Sequence, residues 1–501
     1  MSKRRRRRLL AAAIAVVAVG SLLLVSAGAS RVPAQAALPG GSPVRHVIEV
    51  MLENHTFDNL FGHFPGANGV PAGTRLPNPQ AYFDSQPPVA PFTAGPNEGD
   101  VLGEINNSRV AEQMAMDYEP GGGYQMDHYT VYPQDGMAAI TLFPPNVDPN
   151  LQYLAGHYAL GDRNFQPAIA PTQPNVLYAL AATSHGWMYN NLPPGNQPWN
   201  SIFDELSTAG RAWRIYYGVP TSVLAGSVWY QLIPPGRSQD ITTTSQFFGD
   251  LGSGHLPDFS LVRPGVGYSQ EPPEDLQQGD AWLGQLVQAV ARSRYWSSTA
   301  IFVTYDEGGG FWDHVPPPVA TSFGYGTRTP LVVISPWVRP GVFHQSTTNI
   351  SVLSFMQHVW ALPALNALNA RTDDLQSVFD YNQQPRPAPQ LAAPGDTLAF
   401  YGATALNDLP GVAPGQPLSV NLQANTPGLA LDPALNGQVS IEDVGPQGAR
   451  TPQLGPVALR QGRATFNIVF PDPGYYRLRA SGPDGSQGWT TIDVGVSPET
   501  P

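Results

Sequence analysis

The sequence predicts an α/β domain followed by a small β-sandwich, and three observations lead there. From Arg45 to about Phe379, apolar strand-like runs alternate with helical stretches, the pattern of β-α-β units building a largely parallel sheet. Near residue 383 the composition changes to a Pro-rich linker, "QQPRPAPQLAAPGD". Beyond it come short alternating runs separated by turns, about a hundred residues of them in roughly the proportions of an immunoglobulin-like sandwich. At 501 residues the chain exceeds one ordinary core, so two domains are expected on size alone.

The N-terminus reads as an export signal over residues 1–36. Lys3 and Arg4 to Arg8 form a basic region, Leu9 to Val25 an apolar core, and Ala34-Gln35-Ala36 a small-residue cleavage site. The apolar core is also just long enough for an uncleaved membrane anchor, and the arginine run permits twin-arginine export. Cleavage after Ala36 leaves 19 basic against 38 acidic residues, a net charge of −19, which argues against nucleic acid as a partner. Lys3 is the one lysine, so P-loop and Schiff-base chemistry are excluded. The absence of cysteine excludes disulfides and thiolate metal sites.

Within the first domain, residues 37–382, the runs Val47 to Leu52, Thr299 to Thr304 and Pro330 to Ile334 read as strands. "DAWLGQLVQAVARSRYW" reads as an amphipathic helix with Leu283, Leu286, Val287 and Val290 on one face. A linker over 383–395 leads to the second domain, 396–501, where "PLSVNLQAN", "GQVSIEDVG", "GRATFNIVF", "GYYRLRASGPDG" and "GWTTIDVGV" read as strands. In "RATFNIVF", Ala464, Phe466, Ile468 and Phe470 fall on one face.

Ligands of an open parallel sheet bind beyond the carboxyl ends of its strands. There, Glu53 and Asn54 follow "HVIEVML", and Asp306 and Glu307 follow "TAIFVTY". Together they offer hard oxygen ligands for a divalent cation, with calcium, magnesium or manganese suiting the donor type; each pair alone would serve equally as a helix cap or solvated turn. In "FQPAIAPTQPNVLYALAAT", Pro174 to Thr183 reads as a helix, setting Thr172 just before its N-terminus, where an anion such as a phosphoryl group is favoured. Thr172 is thus a candidate nucleophile or an ordinary cap. His314 in "FWDHVPPP" is a candidate proton donor or a hydrogen-bonded core histidine, and Asp127 in "GGGYQMDHYT" a ligand contact or a turn residue.

"HVIEVMLENHTFDNLFGHFPG" resembles the opening motif of the bacterial phosphoesterase family that holds phospholipases C and an acid phosphatase. The resemblance continues in "YALGDRNFQPAIAPTQPNVLYALAAT", "WSSTAIFVTYDEGGGFWDHVPPP" and "GYGTRTPLVVISPWVRPG", covering roughly residues 44 to 382. It implies an alkaline-phosphatase-like three-layer α/β/α fold, with Glu53, Asn54, Asp306 and Glu307 as metal ligands. By the same resemblance Thr172 is the nucleophile, Asn175 a phosphate contact and His314 an active-site histidine.

Two departures bear on substrate. "AMDYEPGGGYQMD" has no upstream histidine, and "YSQEPPED" sets Glu271 where the family carries a histidine. A carboxylate repels a dianionic monoester more than a monoanionic diester, which favours phospholipase C-like over acid phosphatase activity. Glu271 could instead meet a quaternary ammonium head group, helped by Trp312 or Tyr305. The expectation is a secreted, metal-dependent phosphoesterase acting on phosphate esters, including phospholipid, with wall or membrane association through the second domain or an uncleaved anchor. The competing reading is a degenerate cell-surface binding protein.

Overall fold

The computed structural model describes residues 41–79, 86–95, 105–120, 123–131, 136–191, 199–218, 232–265, 267–318, 324–391, 397–401, 412–444 and 454–495. The expected export signal lies outside them. Among the described residues no helix is long and apolar enough to cross a membrane.

A mixed sheet forms the centre of the first part. Its strands in chain order are β1 (His46–Leu52), β2 (Ala159–Gly161), β3 (Trp213–Tyr217), β4 (Ile241–Thr243), β5 (Phe259–Arg263), β6 (Thr299–Tyr305), β7 (Leu331–Ile334) and β8 (Gly341–Phe343). Their spatial order is β8-β2-β7-β6-β1-β5-β3-β4. β1 lies between β5 and β6, parallel to both, with Val50 opposite Val262 and Val303. β7 runs antiparallel to β6 and β2, so the sheet is largely but not wholly parallel. Both faces of the central strands are covered, which is why they read as unbroken apolar runs.

Among the described residues the α-helices are α1 (Phe57–Phe61), α2 (Arg109–Ala115), α3 (Pro149–His157), α4 (Thr172–Ala181), α5 (Ile202–Thr208), α6 (Thr244–Ser253), α7 (Leu276–Arg292) and α8 (Ile350–Trp360). α3 packs on α7, while α4 packs on α5 and α8. β6 shows that these are two layers. Phe302 meets Phe355 of α8, and Tyr305, three residues on and so on the other face, lies beside Asp148 and Asp280 of the α3 and α7 side. The expected amphipathic face of α7 is its core face: Leu283, Leu286, Val287 and Val290 are fully buried. Each such side chain stabilises the fold by about 1.5–3 kcal/mol relative to exposure.

The C-terminal part is one seven-stranded sheet. Its strands are β9 (Thr397–Tyr401), β10 (Pro417–Asn425), β11 (Gly437–Asp443), β12 (Leu454–Leu459), β13 (Arg463–Val469), β14 (Gly474–Ser481) and β15 (Gln487–Val494), ordered β12-β11-β14-β15-β9-β10-β13. The edge strands β12 and β13 are themselves in contact, so the sheet curls on itself like a barrel or closed sandwich. Inside, Leu398, Phe400, Val420, Val439, Ile468 and Tyr476 belong to its own apolar core. The Pro-rich segment before it is tied to the first part: the Tyr158 hydroxyl donates to the Pro387 carbonyl at 3.1 Å, and Leu391 N–H to Gln288 Oε1 at 3.1 Å.

Candidate active site

β1 and β6 end side by side, so the two acidic segments that follow them meet. Asp306 Oδ1 accepts the backbone N–H of Glu307 at 2.9 Å and that of Asn54 at 3.3 Å. Asn54 is turned into the left-handed region, φ 66°, a conformation asparagine tolerates better than most residues. Gly309, also at positive φ, passes so close that a Cβ there would stand 2.3 Å from the Asn54 carbonyl oxygen. This is one place where the triple glycine is required.

Arg263, at the end of the neighbouring β5, forms an ion pair with Glu53 and is 3% exposed. Its charge also acts on Asp306, Glu271 and Glu49. Sequence reasoning missed it, although the signal was available: "FSLVR" is an apolar run that ends in a charge, as the other two site segments do. Glu271 enters on the loop between β5 and α7, where it faces Arg263 and adds negative charge at Asp306.

Thr172 lies in the first turn of α4, because the helix begins two residues earlier than its sequence pattern indicates. Its hydroxyl is close enough to Asp306 to favour the ionised carboxylate. Burial pushes the Asp306 carboxyl up to about 6; Arg263 opposes that rise and Glu271 adds to it. Asn175, one turn along α4, spends its amide on the preceding loop. It accepts from Ala168 N–H at 3.0 Å and donates to the Ala170 carbonyl at 2.6 Å, so here it shapes the entry to the helix.

Two oxygens in this pocket, Asn54 Oδ1 and Asp306 Oδ2, are buried without a hydrogen bond of normal geometry. Buried polar atoms are rarely left so. A neutral amide oxygen and a carboxylate oxygen, both hard donors beside Glu53, fit a divalent cation of the calcium, magnesium or manganese kind.

Glu307 stands at the flank. Oε1 accepts from Asn107 Nδ2 at 2.5 Å and Oε2 from Gly309 N–H at 2.6 Å. Burial drives its carboxyl well above the usual range, with Glu112 and Asp306 adding to the effect. Glu112 reaches in from α2, held by Gln166 Nε2 at 3.1 Å to each oxygen, and burial pushes it up to about 8.

His314 belongs to a second cluster. Its Nδ1 lies 2.6 Å from Asp58 Oδ2, and Arg328 donates to Asp58 Oδ1 and Asp313 Oδ1, each at 2.8 Å. Arg328 is fully buried under the Phe57 ring. Asp127 sits in a third group, with Asp117 3.6 Å and Asp127 3.9 Å from opposite nitrogens of His128. The aromatics expected beside a head group turn inward: the Tyr305 hydroxyl bonds Gln270, and Trp312 Nε1 donates to the Met126 carbonyl at 2.7 Å. The ring that senses Glu271 is Tyr217, whose hydroxyl is pushed up to about 12, first by burial and then by that carboxylate.

With this geometry described, comparison with known proteins identifies the family. The Phosphoesterase family profile matches residues 44–363, well over half of the chain. The chain belongs to the Phosphoesterase family. Among curated relatives, the non-specific phospholipase C4 of Arabidopsis thaliana is 27% identical over 348 residues, 60% of this chain and 63% of that protein. The non-hemolytic phospholipase C of Burkholderia pseudomallei is 24% identical over 474 residues, 78% of this chain and 66% of that protein. The match thus spans slightly less than two thirds of the length of these relatives. A solved structure of a Vibrio parahaemolyticus protein in the alkaline phosphatase superfamily is similar over 59% of this chain and 73% of that one, at 14% identity and a TM-score of 0.35. In this phosphoesterase chain Asn54 and Thr172 both meet Asp306 where β1 and β6 end, with Glu53 next in the chain.

Proposed function

We propose that this phosphoesterase is an exported, cation-dependent hydrolase of phosphate diesters, of the phospholipase C kind, with Thr172 as its nucleophile. The observation that carries the reading is the convergence of Thr172 with two buried oxygens that lack a hydrogen bond of normal geometry, at the end of β1 and β6. Glu53, Asn54 and Asp306 would hold the cation, with Glu307 beside them. A bound divalent cation supplies charge neutralisation at phosphate oxygens and lowers the pKa of a nearby hydroxyl.

The chain's own groups do the rest. Thr172 Oγ1 bonds to phosphorus as the ester P–O bond breaks, and the leaving alcohol departs with a proton. The ten-residue α4 directs the positive end of its dipole at the phosphoryl group. Arg263 offsets the negative charge of Glu53 and Glu271, and so makes the pocket less hostile to an anion. His314, with Nδ1 anchored on Asp58, keeps Nε2 for proton exchange with the leaving oxygen. Water then cleaves the phosphothreonine. Asp127 is kept as a substrate contact of the outer wall, through the loop it shares with His128.

The test is hydrolysis of p-nitrophenylphosphorylcholine and p-nitrophenyl phosphate across divalent metals. Wild type is expected to turn over the diester faster, and Thr172→Ala to lose turnover on the order of a thousandfold or more while remaining folded. Undiminished turnover in Thr172→Ala would remove the nucleophile, and preference for the monoester would make the enzyme a phosphatase.

A further inference from the structure

Between β5 and α7 the chain runs through a loop, described over residues 264–265 and 267–275, that touches the candidate site on one side and the C-terminal sheet on the other. On the site side, the Ser269 carbonyl accepts the Glu53 N–H at 3.0 Å, and the Gln270 carbonyl meets His55 Nε2 at 2.8 Å. The Tyr305 hydroxyl, at the end of β6, donates to Gln270 Oε1. Glu271 follows directly and faces Arg263. Within the loop, Glu274 braces the turn by accepting from Ser269 N–H at 2.8 Å and Ser269 Oγ at 2.7 Å.

On the other side the partners come from the C-terminal strands. Arg477 of β14 is 1% exposed and donates to both oxygens of Asp275, at 2.8 Å to Oδ1, and to Gln277 Oε1 at 2.9 Å. Asp275 is also the N-cap of α7, accepting from Gln277 N–H at 2.9 Å. The buried Tyr268 hydroxyl lies 3.2 Å from Thr397 Oγ1 of β9 and accepts from Asn425 Nδ2 of β10 at 3.0 Å. Gln278 bridges the Leu398 carbonyl, 3.3 Å, and the Trp489 N–H, 3.1 Å.

We infer that the C-terminal sheet braces the active site: Arg477, Thr397 and Asn425 set the position of the 268–275 loop, and the loop sets Glu53, His55 and Glu271. They are positioning residues, acting through the loop on groups that touch substrate or cation. The inference rests on the proposed phosphodiesterase reading for its activity readout and on hydrogen bonding alone for its structural one.

The experiment compares full-length wild type, Arg477→Met, Arg477→Lys, Tyr268→Phe and Arg479→Ala by hydrogen exchange, Mn2+ titration and steady-state kinetics. Arg479, on β14 like Arg477, forms a half-exposed pair with Glu442 of the neighbouring β11, and Arg479→Ala serves as control. In Arg477→Met and Tyr268→Phe, amides of 267–275 and 53–55 are expected to exchange about tenfold faster. Mn2+ binding weakens and kcat falls about tenfold with little change in KM, while the control matches wild type. Arg477→Lys, keeping the charge, recovers part of the loss. If Arg477→Met does not fold, Tyr268→Phe decides alone. Wild-type exchange at 53–55 in the variants would overturn the inference, as would a loosened loop with unaltered Mn2+ affinity and kcat. Absence of diester turnover in wild type would defeat the proposed function, and exchange at 53–55 would still decide this inference.

Discussion

At Asp58 and Asp313 every carboxylate oxygen has a donor: Arg328 serves one oxygen of each, His314 the other of Asp58, and the Asp58 N–H the other of Asp313. A few residues earlier on the same two segments, Asp306 and Asn54 each keep a buried oxygen without a hydrogen bond of normal geometry. The burial is the same in both clusters and the chemistry differs. The saturated cluster has its own permanent cation in Arg328 and locks the two segments together. The unsaturated one has Arg263 for only part of its charge, so Glu53, Asp306 and Glu271 together outweigh their one cation. A buried carboxylate therefore says little by itself; its hydrogen-bond partners have to be counted oxygen by oxygen.

The contrast breaks if Arg328 is dispensable. Arg328→Met leaves Asp58 and Asp313 buried without the guanidinium they share, and is expected to cost about 3–5 kcal/mol in denaturant unfolding. A loss near zero would mean that the saturated cluster does not hold the fold.

Glu49, within β1, tests the intermediate case. It is 1% exposed, and burial pushes it up to about 8, opposed by the Thr304 hydroxyl and Arg263. A carboxyl raised in the folded state contributes stability that is whole below its unfolded value and lost as pH rises through the folded one. Unfolding free energy should thus decline between about pH 4.5 and 8. Glu49→Gln should remove that slope and stand about 2–4 kcal/mol above wild type at pH 8, with near equality at pH 4. Parallel pH profiles would show that Glu49 stays ionised through its partners.

The smallest effect sharpens the other side. Asp306→Asn in metal-free protein relieves an under-satisfied buried carboxylate and should leave stability unchanged or about 1–3 kcal/mol higher at pH 7.5. The same variant should lose the rise in melting temperature that Mn2+ gives wild type. A strongly destabilised Asp306→Asn would make Asp306 a strut like Asp58.

Much of the fold was readable because burial imposes period. β1, β6 and β7 appear as apolar runs since both faces are covered, α7 through its 3.6-residue stripe, and five of the C-terminal strands through alternation. β9 and β12 were missed; "LGPVAL" carries a Gly-Pro pair that reads as a turn. The antiparallel direction of β7 was not legible, since an apolar run has no arrow. Of the candidate site, Glu53, Asn54, Asp306 and Thr172 could be proposed from strand ends and a helix start, and the structure brings Asn54 and Thr172 to Asp306. Arg328 could not, because its partner Asp58 lies 270 residues away and neither residue has a local pattern.

The left-handed turn at Asn54 narrows what evolution can write there. The backbone admits glycine, asparagine and aspartate at little cost and most other residues only with strain. Glycine would keep the path and lose the oxygen, while aspartate would add a further negative charge to a pocket that already holds Glu53, Asp306 and Glu271. Two unrelated filters, torsional and electrostatic, thus favour asparagine, and the local chain geometry limits which donor atoms the end of β1 can present.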